Sequence, residues 1–151
     1  MEISQLTAAI SKEGDSINNY VYEIRNLLIE NEFDSKIYVE HGGGLFGDII
    51  NHYSKCNPKN DDIIILHATI GSKLTNFFRN LKCKKIILYN NFTPARFFKN
   101  IDNEKATLLQ NYNLELKSLI NYANKVLTTS EFNKNDLEKI GLNKIDIIPI
   151  F

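Results

Sequence analysis

Short apolar runs alternate with segments of helical period along the whole chain. Ile3 to Ile10 reads as a first strand. Ser16 then stands where an N-cap belongs, and Ile17, Tyr20, Val21, Ile24, Leu27 and Leu28 recur at helical spacing. Lys36 to Val39 is a second strand, followed by a glycine-rich loop and by Asp48 to Ser54, read as one or two helical turns. Asn57 to Asp62 is a turn cluster. Ile63 to His67 is apolar on both faces, as a central parallel strand is. Leu74, Phe77, Phe78 and Leu81 mark the next helix, and Lys85 to Tyr89 a fourth strand ended by Asn90 to Pro94. The longest helix is predicted from Glu104 to Tyr122, burying Leu109, Tyr112, Leu116, Leu119 and Ala123. Val126 to Thr129 is a fifth strand, Ser130 caps a helix to Ile140, and Gly141 ends it. Asp146 to Ile150 is a sixth strand.

Strand and helix in repeated alternation imply an α/β fold, a Rossmann-like three-layer sandwich around a mainly parallel sheet of about six strands. At 151 residues, 1–151 is expected to be a single domain. Right-handed crossovers put every strand-to-helix loop on one edge of such a sheet, and ligands bind beyond the carboxyl ends of its strands. The residues that matter for function are therefore those that follow each strand.

Charge narrows the classes. Eighteen basic residues balance eighteen acidic ones, whereas a dedicated nucleic-acid binder needs excess cation for its phosphate contacts. Cys56 and Cys83 form no C-x-x-C pair and suggest a reducing compartment. No apolar run approaches the roughly 20 residues of a membrane span, and Met1 to Gln5 lacks the features of a signal peptide. A cytoplasmic location is expected, with the sequon at Asn91 left unmodified.

Several motifs match only in part. Gly42 to Gly47 fits G-x-G-x-x-G, but it follows the second strand instead of the first. The acids about 20 residues on, Asp61 and Asp62, begin the third strand, at the wrong edge to hold a ribose. His41 to Gly44 copies an esterase oxyanion loop without the G-x-S-x-G elbow. His41, His52 and His67 have no metal-ligand spacing with one another or with the cysteines, so neither metal nor cofactor is expected. A receiver-type signalling domain would need an Asp after its third strand, where His67-Ala68-Thr69 stands instead.

Four segments after strands resemble one family. Gly14-Asp15-Ser16-Ile17-Asn18-Asn19 is similar to G-D-A-[IV]-S-N of the family-4 glycosyltransferases. Ile70-Gly71-Ser72, preceded by His67, follows the third strand. Tyr89 to Phe98 resembles Y-H-N-[IV]-T-P-x-x-F-F, with Asn90 in place of the His. Ala123 to Asn133 resembles A-D-x-[VL]-x-x-x-S-E-[FY]-N, and Lys144 to Ile150 resembles the strand that leads out of the family's first domain. The resemblance covers essentially the whole chain and implies the N-terminal, acceptor-side half of a GT-B fold, with the donor-binding C-terminal domain absent. It implies an enzyme of hexosyl transfer from a nucleotide sugar that is inactive as these 151 residues alone.

The residues suit sugar hydroxyls in their own right, since amides, carboxylates and imidazoles hydrogen-bond them. His67 and Asp15 are the candidate catalytic groups; Gly14, Asn18, Asn19, Gly71, Ser72, Asn90, Asn91, Thr93 and Ser130 are the candidate acceptor-binding set. Ser16, Ser72 and Ser130 also read as helix caps, and Gly14 and Gly71 as residues set by backbone geometry. The expected partners are a sugar or lipid-linked glycan acceptor, and a nucleotide-sugar donor only with a donor-binding domain or chain. Lys73 to Lys85 carries five cations and no acid, read either as a solvated face or as one that meets anionic lipid at the inner membrane face. Arg96-Phe97-Phe98-Lys99 is a second basic-aromatic spot. The rival function is a non-catalytic carbohydrate- or nucleotide-binding module on the same scaffold.

Overall fold

The computed structural model describes residues 1–10, 16–42, 49–68, 72–90, 92 and 94–149, with backbone alone at 16 and 17. Among the described residues seven strands are joined by four α-helices: β1 (Ile3–Ala9), α1 (Ser16–Glu30), β2 (Ile37–His41), β3 (Ile50–His52), β4 (Ile63–His67), α2 (Leu74–Asn80), β5 (Lys84–Tyr89), α3 (Asn103–Leu119), β6 (Lys125–Thr128), α4 (Glu131–Lys139) and β7 (Ile145–Ile147). They form one sheet in the order β3-β2-β1-β4-β5-β6-β7, and every pairing is parallel. This is the Rossmann-like α/β architecture that the alternating pattern implies.

Side-chain alternation along the strands divides the core into two layers. On one face Leu6, Ile64, Leu66, Ile87, Val126 and Ile145 pack under α2, α3 and α4 through Leu74, Phe78, Tyr112, Leu116, Leu119 and Leu137. On the other, Tyr20 of α1 packs on Ile3, Ile65, Leu88 and Leu127, and Val21 on Ile37, Val39 and Ile50. Burying α1 on one face and three helices on the other makes the sandwich three layers deep.

One expected element is different. Ile50–His52, read from sequence as part of a helical segment, is an edge strand paired with β2 from Ile37 to Val39. A three-residue strand has no measurable period, and tertiary pairing decides it: Ile50, 2% exposed, completes the apolar cluster under Val21. A 3₁₀ turn at Tyr53–Lys55 follows it. Ala123, expected on the buried face of α3, lies just beyond a 3₁₀ extension of that helix and is partly buried against the same core.

Two signals hold at chain reversals. Ser130 Oγ accepts the Asn133 N–H at 3.2 Å and starts α4. Gly141 follows that helix at φ +90°, where a side chain would be strained. The segment rich in lysine is less uniform than its sequence. Lys85 is buried, and its ammonium donates to the carbonyls of Phe78, Arg79 and Leu81 at 3.4, 3.1 and 2.9 Å. It closes the C-terminal end of α2 and is not part of a basic face.

Candidate functional site

The chain lays β2 and then β3 to one side of β1, and returns to place β4 on the other. The direction of winding reverses between β1 and β4, and in open α/β sheets the crevice at such a reversal is where ligands sit. Of the resembling segments, 14–19 follows β1 and 70–72 follows β4, while the one from Tyr89 starts at the last residue of β5 and the one from Ala123 runs through β6; these four strands are consecutive neighbours in the sheet. Gly14, Asp15, Gly71, Asn91 and Thr93 lie outside the described residues, as does the glycine loop from 43 to 48. Gly42, which precedes that loop, has φ +88°, and a Cβ there would stand 3.2 Å from the Ile10 carbonyl oxygen.

His67 ends β4 on the α1 face of the sheet and is 1% exposed. The carboxamide of Gln5 on β1 bridges it to α1: Gln5 Nε2 donates to the Val21 carbonyl at 3.0 Å, which leaves Gln5 Oε1 facing His67 Nε2 at 2.8 Å. An oxygen there can only accept, so His67 carries its proton on Nε2. The Tyr20 ring stands edge-on to the imidazole, 6.4 Å between centroids. Burial alone lowers the His67 pKa to about 4. The ring is therefore neutral at pH 7, a good hydrogen-bonding group and a weak general base.

The other sequence candidates divide between caps and open positions. Ser72 accepts the Leu74 N–H at 3.1 Å at the start of α2, and its hydroxyl donates to Glu40 Oε2 at 2.6 Å. Glu40 also accepts the Lys73 N–H at 3.0 Å. Burial raises the Glu40 pKa, but the hydrogen bonds from Ser72 and Lys73 and the nearby His41 and Lys73 charges outweigh it and hold the carboxyl below its ordinary range. A carboxylate of the chain itself thus stands at the amino end of α2, a place that would otherwise suit a phosphate. Ser130 caps α4. Asn18 is buried and Asn19 exposed in the first turns of α1. Asn90 follows directly on β5, half-buried, and its amide makes no hydrogen bond among the described residues.

On the opposite face, a cleft of about 200 Å³ lies between the end of β5, the 3₁₀ turn at Ala95–Phe97, α3 and α4. Its walls include Tyr89, Phe92, Arg96, Asn113, Asp136 and Lys139. Tyr89, Phe92 and Tyr112 form an edge-to-face ladder behind it at 5.7 and 4.8 Å, and Lys139 pairs with Asp136 at 2.9 Å. The sheet separates this cleft from His67.

Gln5 and Glu40 were not singled out from sequence, nor were Asn113, Asp136 and Lys139 of the cleft. Gln5 carries the one available signal, a long polar side chain within an apolar strand. Glu40 reads as an ordinary solvated residue, because its partners Ser72 and Lys73 are 32 and 33 positions away. Asp62 does lie at the amino edge, as its position at the head of β4 implies: its carboxylate accepts the Glu2 N–H at 2.8 Å and the Lys59 N–H at 2.7 Å. No group of three or more His, Cys, Asp or Glu side chains among the described residues could hold a metal ion. No helix among them is long and apolar enough to cross a membrane. No protein-family model matches the chain, and comparison with curated proteins finds no match.

Proposed function

We propose that this chain is the acceptor-binding half of a glycosyltransferase, holding a sugar or lipid-linked glycan beyond the carboxyl ends of β1, β4 and β5. The observation that carries the reading is the adjacency of the four family-like segments: they follow or run through neighbouring strands of one parallel sheet, among them the pair at its winding reversal. Neutral hydrogen-bonding groups at that edge, the His67 imidazole and the Asn90 amide, match sugar hydroxyls. Asp15 and His67 are the candidate catalytic groups, and burial makes the His67 imidazole a weak base at neutral pH.

Transfer from a nucleotide sugar also requires converging positive groups on the leaving diphosphate. Glu40 puts negative charge at the start of α2, which disfavours the diphosphate on this domain and leaves it to a donor-binding domain or chain. Calorimetry tests this. Nucleoside-diphosphate hexoses should give no micromolar binding to the 151-residue chain, and acceptor-type sugars should give measurable heat. Micromolar binding of the nucleotide sugar would instead support a nucleotide-binding module, the second reading, for which the strand order around the reversal also speaks.

Contact with a lipid-linked acceptor would place basic and aromatic groups at a membrane surface. Lys73, Lys82 and Lys84 are exposed. Phe97 and Ile101, 58% and 85% exposed, stand close in sequence to Arg96 and Lys99. These two spots are the proposed peripheral contacts.

A further inference from the structure

We infer that Nδ1 of His67 is the hydrogen-bond acceptor for a hydroxyl of the bound sugar, and that Gln5 is the positioning residue that keeps it an acceptor. The inference rests on the acceptor-site reading and names the atom that reading uses. Nδ1 is buried and has no hydrogen-bond partner among the described residues. A buried polar atom left unpaired is destabilising, and most such atoms in native proteins find a partner. The atom lies at the last residue of β4, at the winding reversal, one residue before the strand's following loop.

The chemistry of the missing partner follows from the tautomer. Gln5 Oε1 takes the Nε2 proton at 2.8 Å, and the Gln5 amide is itself pinned by the Val21 carbonyl at 3.0 Å. Nδ1 is left with a lone pair and no proton, so its partner must donate. Burial keeps the ring neutral, so an anionic ligand gains nothing there, whereas an alcohol O–H has the required donor and no charge to desolvate. A sugar hydroxyl is the ligand group of that description which the rest of the edge also suits.

The test uses the ¹⁵N-labelled chain and methyl hexopyranosides (gluco, galacto and manno) as probes. Long-range ¹H–¹⁵N spectra of His67 should show a protonated Nε2 and a bare Nδ1, and sugar should shift the Nδ1 resonance as it becomes hydrogen-bonded. His67→Gln keeps a donor where Nε2 stood and removes the Nδ1 acceptor; sugar binding should weaken about tenfold with the fold retained. Gln5→Met should let both tautomers appear and weaken binding similarly. If His67→Gln does not fold, the wild-type Nδ1 shift alone decides. Sugar that moves amides at 67–72 and 89–94 without moving Nδ1 would overturn this inference and leave the acceptor site standing. Sugar that moves no resonance would overturn both.

Discussion

Acidification from pH 7 to pH 5 should destabilise this protein through one side chain. His67 ordinarily titrates near 6.5, and burial in the fold lowers that to about 4. Between the two values the unfolded chain binds a proton that the folded chain refuses. The stability that neutral His67 contributes is therefore complete above about pH 6.5 and is lost as pH falls towards 4. At about 1.4 kcal/mol per pH unit the gap is worth roughly 3 kcal/mol in full, and about 2 kcal/mol of it is lost between pH 7 and 5. For a chain of this size that is a fall in Tm of roughly 4–8 °C. The carboxyls of Glu40 and Asp62, both held below their ordinary values of 4.5 and 3.8, add their loss mainly below pH 5. Urea titrations at pH 7, 6 and 5 give the slope for wild type and for His67→Gln, which has nothing to titrate at this position. We expect the slope in wild type and its near absence in the variant. A wild type equally stable at pH 7 and 5, or a variant with the same slope, would refute the view that a buried neutral imidazole spans β1 and β4.

Further tests are independent of that group. Lys85→Met keeps the apolar stem but takes the ammonium donor from the Arg79 and Leu81 carbonyls, the Phe78 carbonyl keeping the Leu81 N–H, and should destabilise by about 1–3 kcal/mol in denaturant titration. The same variant should leave binding to anionic vesicles unchanged, because its ammonium is already buried. Ser130→Ala removes the cap of α4 and should cost about 1 kcal/mol by the same assay. Wild type should sediment with anionic vesicles at low salt and release as salt rises, with Phe97→Ser weaker; equal sedimentation with neutral vesicles would leave only a solvated basic face.

The fold was legible where a segment is long and its environment uniform. The unbroken apolar run at Ile63–His67 is the central strand β4, and the helical period from Glu104 onward lies within α3, with Leu109, Tyr112, Leu116 and Leu119 buried as spaced. Ser130 and Gly141 act locally, so they could be read locally. β3 could not, because three residues hold no period and only β2 makes them a strand. Lys85 misled for a related reason: charge in a sequence reads as surface, and only the carbonyls at the end of α2 show why this ammonium is inside. At the site, His67 was visible as the last residue of an apolar strand, but its environment was not. Gln5 is 62 positions away, and Glu40 meets Ser72 across 32. Such pairings exist only once the crossovers have laid β1 beside β4 and α2 beside the end of β2.

The most direct test of the acceptor-site proposal is an amide map of the ¹⁵N-labelled chain during titration with hexopyranoside acceptors. We expect shifts confined to 14–19, 67–72 and 89–94, the segments that follow β1, β4 and β5. Shifts clustered instead around Asp61, Asp62 and Glu138 would put the ligand away from those segments and contradict the proposal.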